Sequence, residues 1–135
     1  MEEMFINIAN ELVEILPSNW VRCFFYSEMT EKAYRSAFYT FFDDSEEPVH
    51  CNELLNLGVS SQQLQKTLEN IFQILKPYWQ ISAQSPKTKW TNCTFTVTND
   101  GDFNLDVDST DLSSEMNIRR HRQNWKKKYL TAQSA

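Results

Sequence analysis

Residues 90–111, WTNCTFTVTNDGDFNLDVDSTD, contain two segments of alternating apolar and polar residues around the turn sequence NDG. The apolar positions are Cys93, Phe95 and Val97 in the first segment and Phe103, Leu105 and Val107 in the second. A period of two predicts strands with one apolar face. A three-residue connection puts both apolar sets on one face, whereas a two-residue connection would set Val97 opposite Asn104. The stretch therefore predicts an antiparallel hairpin in which Gly101 takes the turn position that needs positive φ.

The opposite face of this hairpin is predicted to be wet and negative. It carries Thr94, Thr96 and Thr98 beside Asp102, Asn104, Asp106 and Asp108. An EF-hand loop needs a central glycine after its alternating ligands and a bidentate glutamate at position twelve, and the spacing here does not match. Asp106 and Asp108 could share a Mg²⁺ ion, but the sequence places no third ligand beside them. A solvated acidic face is favoured, so we predict no metal and no cofactor.

Upstream of this hairpin, the sequence predicts a helix and a second hairpin. Apolar residues recur at helical spacing from Met4 to Ile15 and stop at Pro17, which predicts an amphipathic helix over residues 2–16. WVRCFFYSEM and AYRSAFYTFF are dense in aromatic and β-favouring residues and are joined by the polar TEK. This arrangement predicts two strands whose faces are both substantially covered.

The remaining segments predict two more helices and a short irregular connection. VHCNELLNLG, residues 49–58, is read as a short extended piece and a helical turn closed by glycine. Ser60 and Gln63 form a capping-box pattern, and the helix that follows is expected to run to about Lys76, where Pro77 interrupts it. Ser113 or Ser114 can cap a last helix. One side of that helix carries Ile118, His121, Trp125 and Tyr129.

These elements predict one α+β domain over residues 1–135, with residues 131–135 as a flexible tail. Its four-stranded antiparallel sheet is made of two hairpins, with N-terminal, central and C-terminal helices packed on it. A chain of 135 residues that is 41% hydrophobic can bury a core of its own. The three cysteines are odd in number and lack CxxC spacing, which favours reduced thiols over a disulfide framework.

Charge is distributed unevenly along the chain. All eighteen acidic residues lie between Glu2 and Glu115 with only seven Lys or Arg, whereas the last seventeen residues contain six basic residues. An acidic body disfavours binding to phosphate backbones and suits a basic protein partner. No run of apolar residues is long enough for a membrane span, and the acidic start does not resemble a signal peptide. We therefore predict a cytoplasmic protein with no membrane association and no direct nucleic-acid binding.

The sequence offers no positive evidence for catalysis, and we predict no catalytic residue. GxSxG, P-loop, dinucleotide-binding and HExxH motifs do not occur, and His50 and His121 have no Cys or His at ligand spacing. Two alternatives stay open. A small hydrolase would bind metal through Asp106 and Asp108. A nucleic-acid-binding protein would use the basic strip formed by Arg119, Arg120, Arg122, Lys126, Lys127 and Lys128.

The order of NWVRCFFYSEM, YRSAFYTF, WTNCTFTVTNDGDFNLD and RRHRQNWKKKYL resembles that of the YezG-like family of bacterial immunity proteins. The resemblance spans nearly all of residues 5–130. Its most specific positions are Trp90, Thr91, Asn92, the NDG turn with Phe103, Arg122, Trp125 and Tyr129. The resemblance implies an antitoxin that binds a cognate toxin. Such a toxin is often the nuclease domain of a polymorphic toxin delivered by type VII secretion or a contact-dependent system.

The predicted toxin-binding surface follows from charge, since a nuclease must carry a basic cleft that an acidic protein can cover. Its acidic residues are Asp43, Asp44, Glu46, Glu47, Asp102, Asp106, Asp108 and Asp111. Tyr39 or Trp79 is predicted to serve as an aromatic anchor.

Overall fold

The structure is a computed structural model and describes residues 2–131. Its helices are α1 (Glu2–Ile15), a 3-10 helix (Cys51–Leu57), α2 (Ser61–Ser82) and α3 (Glu115–Tyr129). Its strands are β1 (Trp20–Met29), β2 (Tyr34–Phe42), β3 (Val49–His50), β4 (Asn92–Thr98) and β5 (Phe103–Asp108). The strands form one antiparallel sheet in the order β3-β2-β1-β4-β5. Apart from Thr131, the predicted flexible tail lies outside the described residues.

The β4–β5 hairpin confirms the predicted register. Its Cα partners pair Cys93 with Val107, Phe95 with Leu105 and Val97 with Phe103. Gly101 has φ +97°, and its N–H donates to the carbonyl of Thr98 at 3.0 Å. Glycine is needed here because residues that have a Cβ atom are disfavoured in this left-handed backbone conformation.

Replacing Gly101 with valine is expected to lower the free energy of unfolding by roughly 1 to 3 kcal/mol, because a β-branched residue is strained at positive φ. A Cβ atom at this position would meet nothing within 4 Å, so the cost is one of backbone conformation and not of collision. Chemical denaturation followed by circular dichroism would measure the change. A midpoint equal to that of the parent would contradict this account of the turn.

The predicted numbers of strands and helices are wrong. The sheet has five strands and not four, because the short extended piece Val49–His50 pairs with β2 through Tyr39 and Thr40. The 3-10 helix that follows is a fourth helix. Gly58 ends it with φ +100°, as the sequence predicts for the closing turn.

The central helix begins as predicted and ends later than predicted. Ser60 and Gln63 form the capping box, with hydrogen bonds of 3.1 and 2.9 Å. The helix nevertheless continues through Pro77 to Ser82. A proline in a helix removes one backbone hydrogen bond. The last turn has tertiary support, since the buried Trp79 donates its indole N–H to the carbonyl of Trp90 at 2.8 Å.

The sheet is covered on both faces. α1 and α2 cover the face that carries the fully buried Phe25, Phe38 and Phe95. α3 lies on the other face, where a second apolar cluster forms from Phe24, Tyr26, Phe41 and Trp125. The face of β4 predicted to be wet is therefore covered at Thr94, which is only 4% exposed. The prediction of an exposed polar face holds for β5, where Asn104 and Asp106 are exposed.

All three cysteines, Cys23, Cys51 and Cys93, are free and buried. Burial raises the pKa of the Cys23 and Cys93 thiols to about 12. Both thiols are therefore protonated and unreactive at neutral pH, which is typical of cysteines that serve as small core residues.

Candidate interaction surfaces

A partly buried ion pair fixes α3 to β1. The Arg122 guanidinium donates to both carboxylate oxygens of Glu28, with Nε–Oε2 at 2.8 Å and Nη2–Oε1 at 2.6 Å. The hydroxyl of Tyr26 donates to the same carboxylate at 2.8 Å. Burial opposes ionisation of Glu28, but the hydrogen bonds from Arg122 and Tyr26 outweigh it and lower the pKa of this carboxyl group. Glu28 is thus ionised and fully partnered at neutral pH.

This ion pair predicts a pH dependence of stability. Because the pKa of Glu28 is lowered in the folded protein, the stabilisation is complete above the ordinary carboxyl pKa of 4.5 and is lost as the pH falls below it. At pH 7 the parent is expected to exceed a Glu28→Gln variant in unfolding free energy by about 1.5 to 3 kcal/mol. Urea denaturation of both proteins between pH 7 and pH 3 would check this. A difference that stays constant over this range would contradict the assignment.

Two further side chains of α3 contact β4. Trp125 donates its indole N–H to the buried hydroxyl of Thr94 at 2.8 Å. His121 Nε2 lies 3.1 Å from Asn92 Oδ1, and the amide of Asn92 donates to Asp108 at 2.9 Å. Three of the positions on which the family resemblance rests, Asn92, Arg122 and Trp125, therefore hold α3 on the sheet. Their role in the structure is to position the last helix.

The acidic loop after β2 and the turn between β4 and β5 lie at the same end of the sheet, on either side of β1. Both are hydrogen-bonded to the segment that enters β1. The backbone N–H of Asp43 donates to the carbonyl of Asn19 at 3.1 Å, and the Asn19 amide donates to the Asp43 carboxylate at 3.2 Å. On the other side of β1, the backbone N–H of Asn99 donates to the carbonyl of Val21 at 2.9 Å. The side-chain amide of Asn99 donates to the backbone carbonyl of Trp20 at 3.1 Å.

We call this region the acidic end, and it consists of Asp43, Asp44, Glu46, Glu47, Asp100 and Asp102. All six residues are exposed. Within residues 2–131, none of the ion pairs involves any of their carboxylates. Asp100, which lies in the NDG turn, is not among the predicted surface residues. Hydrogen bonds from the Thr98 hydroxyl and the Asp102 N–H lower its pKa. Six carboxylates that form no ion pair within residues 2–131 thus share one end of the sheet.

The structure separates the other predicted acids from this end. Asp108 lies at the opposite end of β5 beside α3, and Asp111 caps the loop that precedes α3 by accepting from the Ser113 N–H at 2.9 Å. Partial burial opposes ionisation of Asp108, but hydrogen bonds from Thr110 and Asn92 lower its pKa. Asp106 is exposed in the middle of β5. Asp108 and Asp111 therefore take part in local hydrogen bonding that supports the fold.

The two predicted aromatic anchors occupy different environments. Trp79 is 9% exposed and belongs to the core, so it is not available to a partner. Tyr39 is half-buried on the sheet face that α3 covers. Its ring centroid lies 5.8 Å from that of Trp125 and 5.0 Å from that of His50. Of the two, Tyr39 has the larger fraction of its surface open to solvent.

The structure bears on the two alternative functions, a metal-dependent hydrolase and a nucleic-acid-binding protein. Within residues 2–131, no group of three or more His, Cys, Asp or Glu side chains is arranged to hold a metal ion. In the same part of the chain, no helix has both the length and the apolar character needed to cross a membrane. The predicted basic strip is divided, because Arg122 is held by Glu28 whereas Arg119, Arg120 and Lys126 are exposed.

Comparison with known proteins identifies the family. The model of the YezG-like immunity proteins matches residues 1–134. Immunity protein YezG of Bacillus spizizenii strain W23 is 26% identical over 135 residues, which cover 96% of this chain and 82% of that protein. Immunity protein YezG of Bacillus subtilis strain 168 is 21% identical over 132 residues, which cover 96% of this chain and 87% of that protein. Because the family model matches almost the whole chain, the chain belongs to the YezG-like family of immunity proteins.

Proposed function

We propose that this immunity protein binds and neutralises a cognate secreted toxin whose toxic domain is a nuclease. Membership of the YezG-like family supports the immunity role. The choice of a nuclease rests on charge, because an enzyme that grips nucleic acid presents Lys and Arg to phosphates. A protein that covers such a surface needs exposed acids that are not already neutralised within its own fold.

The acidic end is the observation that carries this proposal. Its six carboxylates are exposed and come from two separate segments, which the hydrogen bonds to Asn19, Trp20 and Val21 bring together. Opposite charge on a partner accelerates association, because the electrostatic field steers the two molecules before contact. Fast capture suits an inhibitor that must act before the nuclease cuts DNA or RNA. On this proposal the protein acts in the cytoplasm, by occupying the toxin and not by catalysis.

An inhibition assay tests the proposal. The probe is the toxin domain encoded by the gene next to that of this protein, purified separately and incubated with plasmid DNA and with RNA. We expect nucleic acid to be degraded by the toxin alone and protected when this protein is added, in proportion to the complex seen by size-exclusion chromatography. Complex formation with a toxin that degrades neither nucleic acid would contradict the nuclease assignment. Undiminished degradation in the presence of excess protein would contradict neutralisation.

A further inference from the structure

A cleft of about 120 Å³ opens between α3 and strands β2 and β3. The small side chain of Ala37 leaves room on its floor beside Tyr39, and Trp125 forms part of the α3 wall. Arg35, His50 and Lys126 also line it. The side chains that hold α3 on the sheet leave this space open, and no residue of the acidic end lines it.

The basic side chains of the cleft differ in how they are partnered. Arg122 is paired with the Glu28 carboxylate through two hydrogen bonds, which balance its charge. Arg35 and Lys126 are exposed, and within residues 2–131 neither forms an ion pair. Two cations therefore line an aromatic cleft without a bound carboxylate.

The pKa of His50 shows that both cations act on a ring that lines the cleft. Burial is the main cause that lowers the pKa of this imidazole, and Glu53 acts against it. The charges of Lys126 and Arg35 lower the pKa further, so both cations interact electrostatically with the His50 ring. His50 is therefore neutral at pH 7, so the positive charges that act on this ring belong to Lys126 and Arg35, with Glu53 as the opposing charge.

From this geometry we infer that the cleft receives a carboxylate side chain of the bound toxin, held between Arg35 and Lys126 and packed against Tyr39 and Trp125. The identity of the partner rests on the proposed function, whereas the preference for a carboxylate rests on the cleft itself. A volume of about 120 Å³ suits one side chain, and the acidic body of the protein repels a polyanion such as DNA. The partner would thus offer basic residues to the acidic end and one acidic residue to the cleft. Charges of opposite sign at two places would fix its orientation.

The first test compares two double variants with the same change of charge. Arg35→Gln with Lys126→Gln removes the two cleft cations that form no ion pair within residues 2–131. Arg120→Gln with Lys127→Gln removes one Arg and one Lys from exposed positions of α3 that do not line it. Dissociation of the purified toxin domain is measured by surface plasmon resonance. We expect dissociation about tenfold faster or more for the cleft variant, since loss of a paired charge acts on the dissociation rate.

The control variant is expected to dissociate within about twofold of the parent, because exposed rim charges act mainly on association. Equal dissociation rates for the two double variants would overturn the proposal. Circular dichroism spectra and melting curves that match the parent establish that both variants are folded.

A second test needs no toxin. N-acetylglutamate N-methylamide is titrated into ¹⁵N-labelled protein at millimolar concentrations, with the glutamine analogue as the uncharged control. We expect the Trp125 indole N–H and the Lys126 backbone amide to shift with the glutamate compound alone, and not in the Arg35→Gln, Lys126→Gln variant. Absence of these shifts overturns the cleft assignment even where the toxin binds. Larger shifts with inorganic phosphate or a DNA duplex overturn the carboxylate preference.

The two tests separate the failure of one proposal from that of the other. Shifts in the glutamate titration without any binding of the toxin domain would contradict the proposed function and the identity of the partner, but would support the carboxylate site. Tight toxin binding without such shifts would support the proposed function and remove the cleft from the interface.

Discussion

Replacing Trp125 with alanine is expected to lower the free energy of unfolding by about 3 to 5 kcal/mol, the range found for truncating buried Trp or Phe side chains. Trp125 is 6% exposed. Its ring centroid lies 5.0 Å from that of Tyr26 and 5.2 Å from that of Tyr129. The change removes these contacts and also leaves the buried hydroxyl of Thr94 without its indole donor. α3 should therefore separate from the sheet more easily.

Phenylalanine at the same position separates packing from hydrogen bonding. A Trp125→Phe variant keeps most of the aromatic contact and loses only the bond to Thr94, so we expect a cost of about 1 to 3 kcal/mol. Urea denaturation followed by circular dichroism would measure both variants, and amide hydrogen exchange would report opening of α3. A Trp125→Ala variant that loses less than about 1 kcal/mol would contradict the docking role of this residue.

The β4–β5 hairpin shows what local sequence can predict. Apolar alternation decides the exposed and buried faces, and the position of one glycine decides the length of the turn. Both kinds of information lie within a few residues of each other. The observed pairing of Val97 with Phe103 follows from them without any knowledge of the remaining chain.

Coverage of the second sheet face could not be predicted in this way. Thr94 is polar and follows the alternating pattern of an exposed position, yet it is buried because Trp125 lies over it. The hydroxyl finds its partner 31 residues away. A threonine with a distant donor and a threonine in water have the same local pattern, so only the tertiary structure distinguishes them.

The extent of β3 and of α2 depends on tertiary contacts for the same reason. A strand of two residues is too short to show apolar alternation. The local sequence therefore does not predict that Val49 and His50 pair with β2. The expected stop at Pro77 follows local helix chemistry, which the packing of Trp79 overrides.

The candidate surface was partly predictable. Composition alone places four acids in the loop after β2, and the structure confirms that this loop is exposed. Its proximity to Asp100 and Asp102 depends on the pairing of β1 with both β2 and β4, which brings segments distant in sequence to one end of the sheet. Asp108 has the same residue type but a different role, because Asn92 and Thr110 bind its carboxylate.

On the proposed function, the acidic end steers this protein onto a basic toxin surface. A test variant neutralises three of its carboxylates through Asp44→Asn, Glu46→Gln and Glu47→Gln. A control variant makes the same change of charge on α1 through Glu2→Gln, Glu3→Gln and Glu14→Gln. All six positions are exposed, so we expect both variants to fold, with melting temperatures near that of the parent.

Stopped-flow fluorescence measures the association rate with the toxin domain at low and physiological ionic strength, and this rate reports the steering. At about 10 mM salt, charges act over about 30 Å, whereas at about 150 mM they act over about 8 Å. We predict that the test variant associates about tenfold or more slowly than the parent at low salt and loses most of the salt dependence, with a much smaller change in the control variant. Association of the test variant at the parental rate, with the parental salt dependence, would contradict the account.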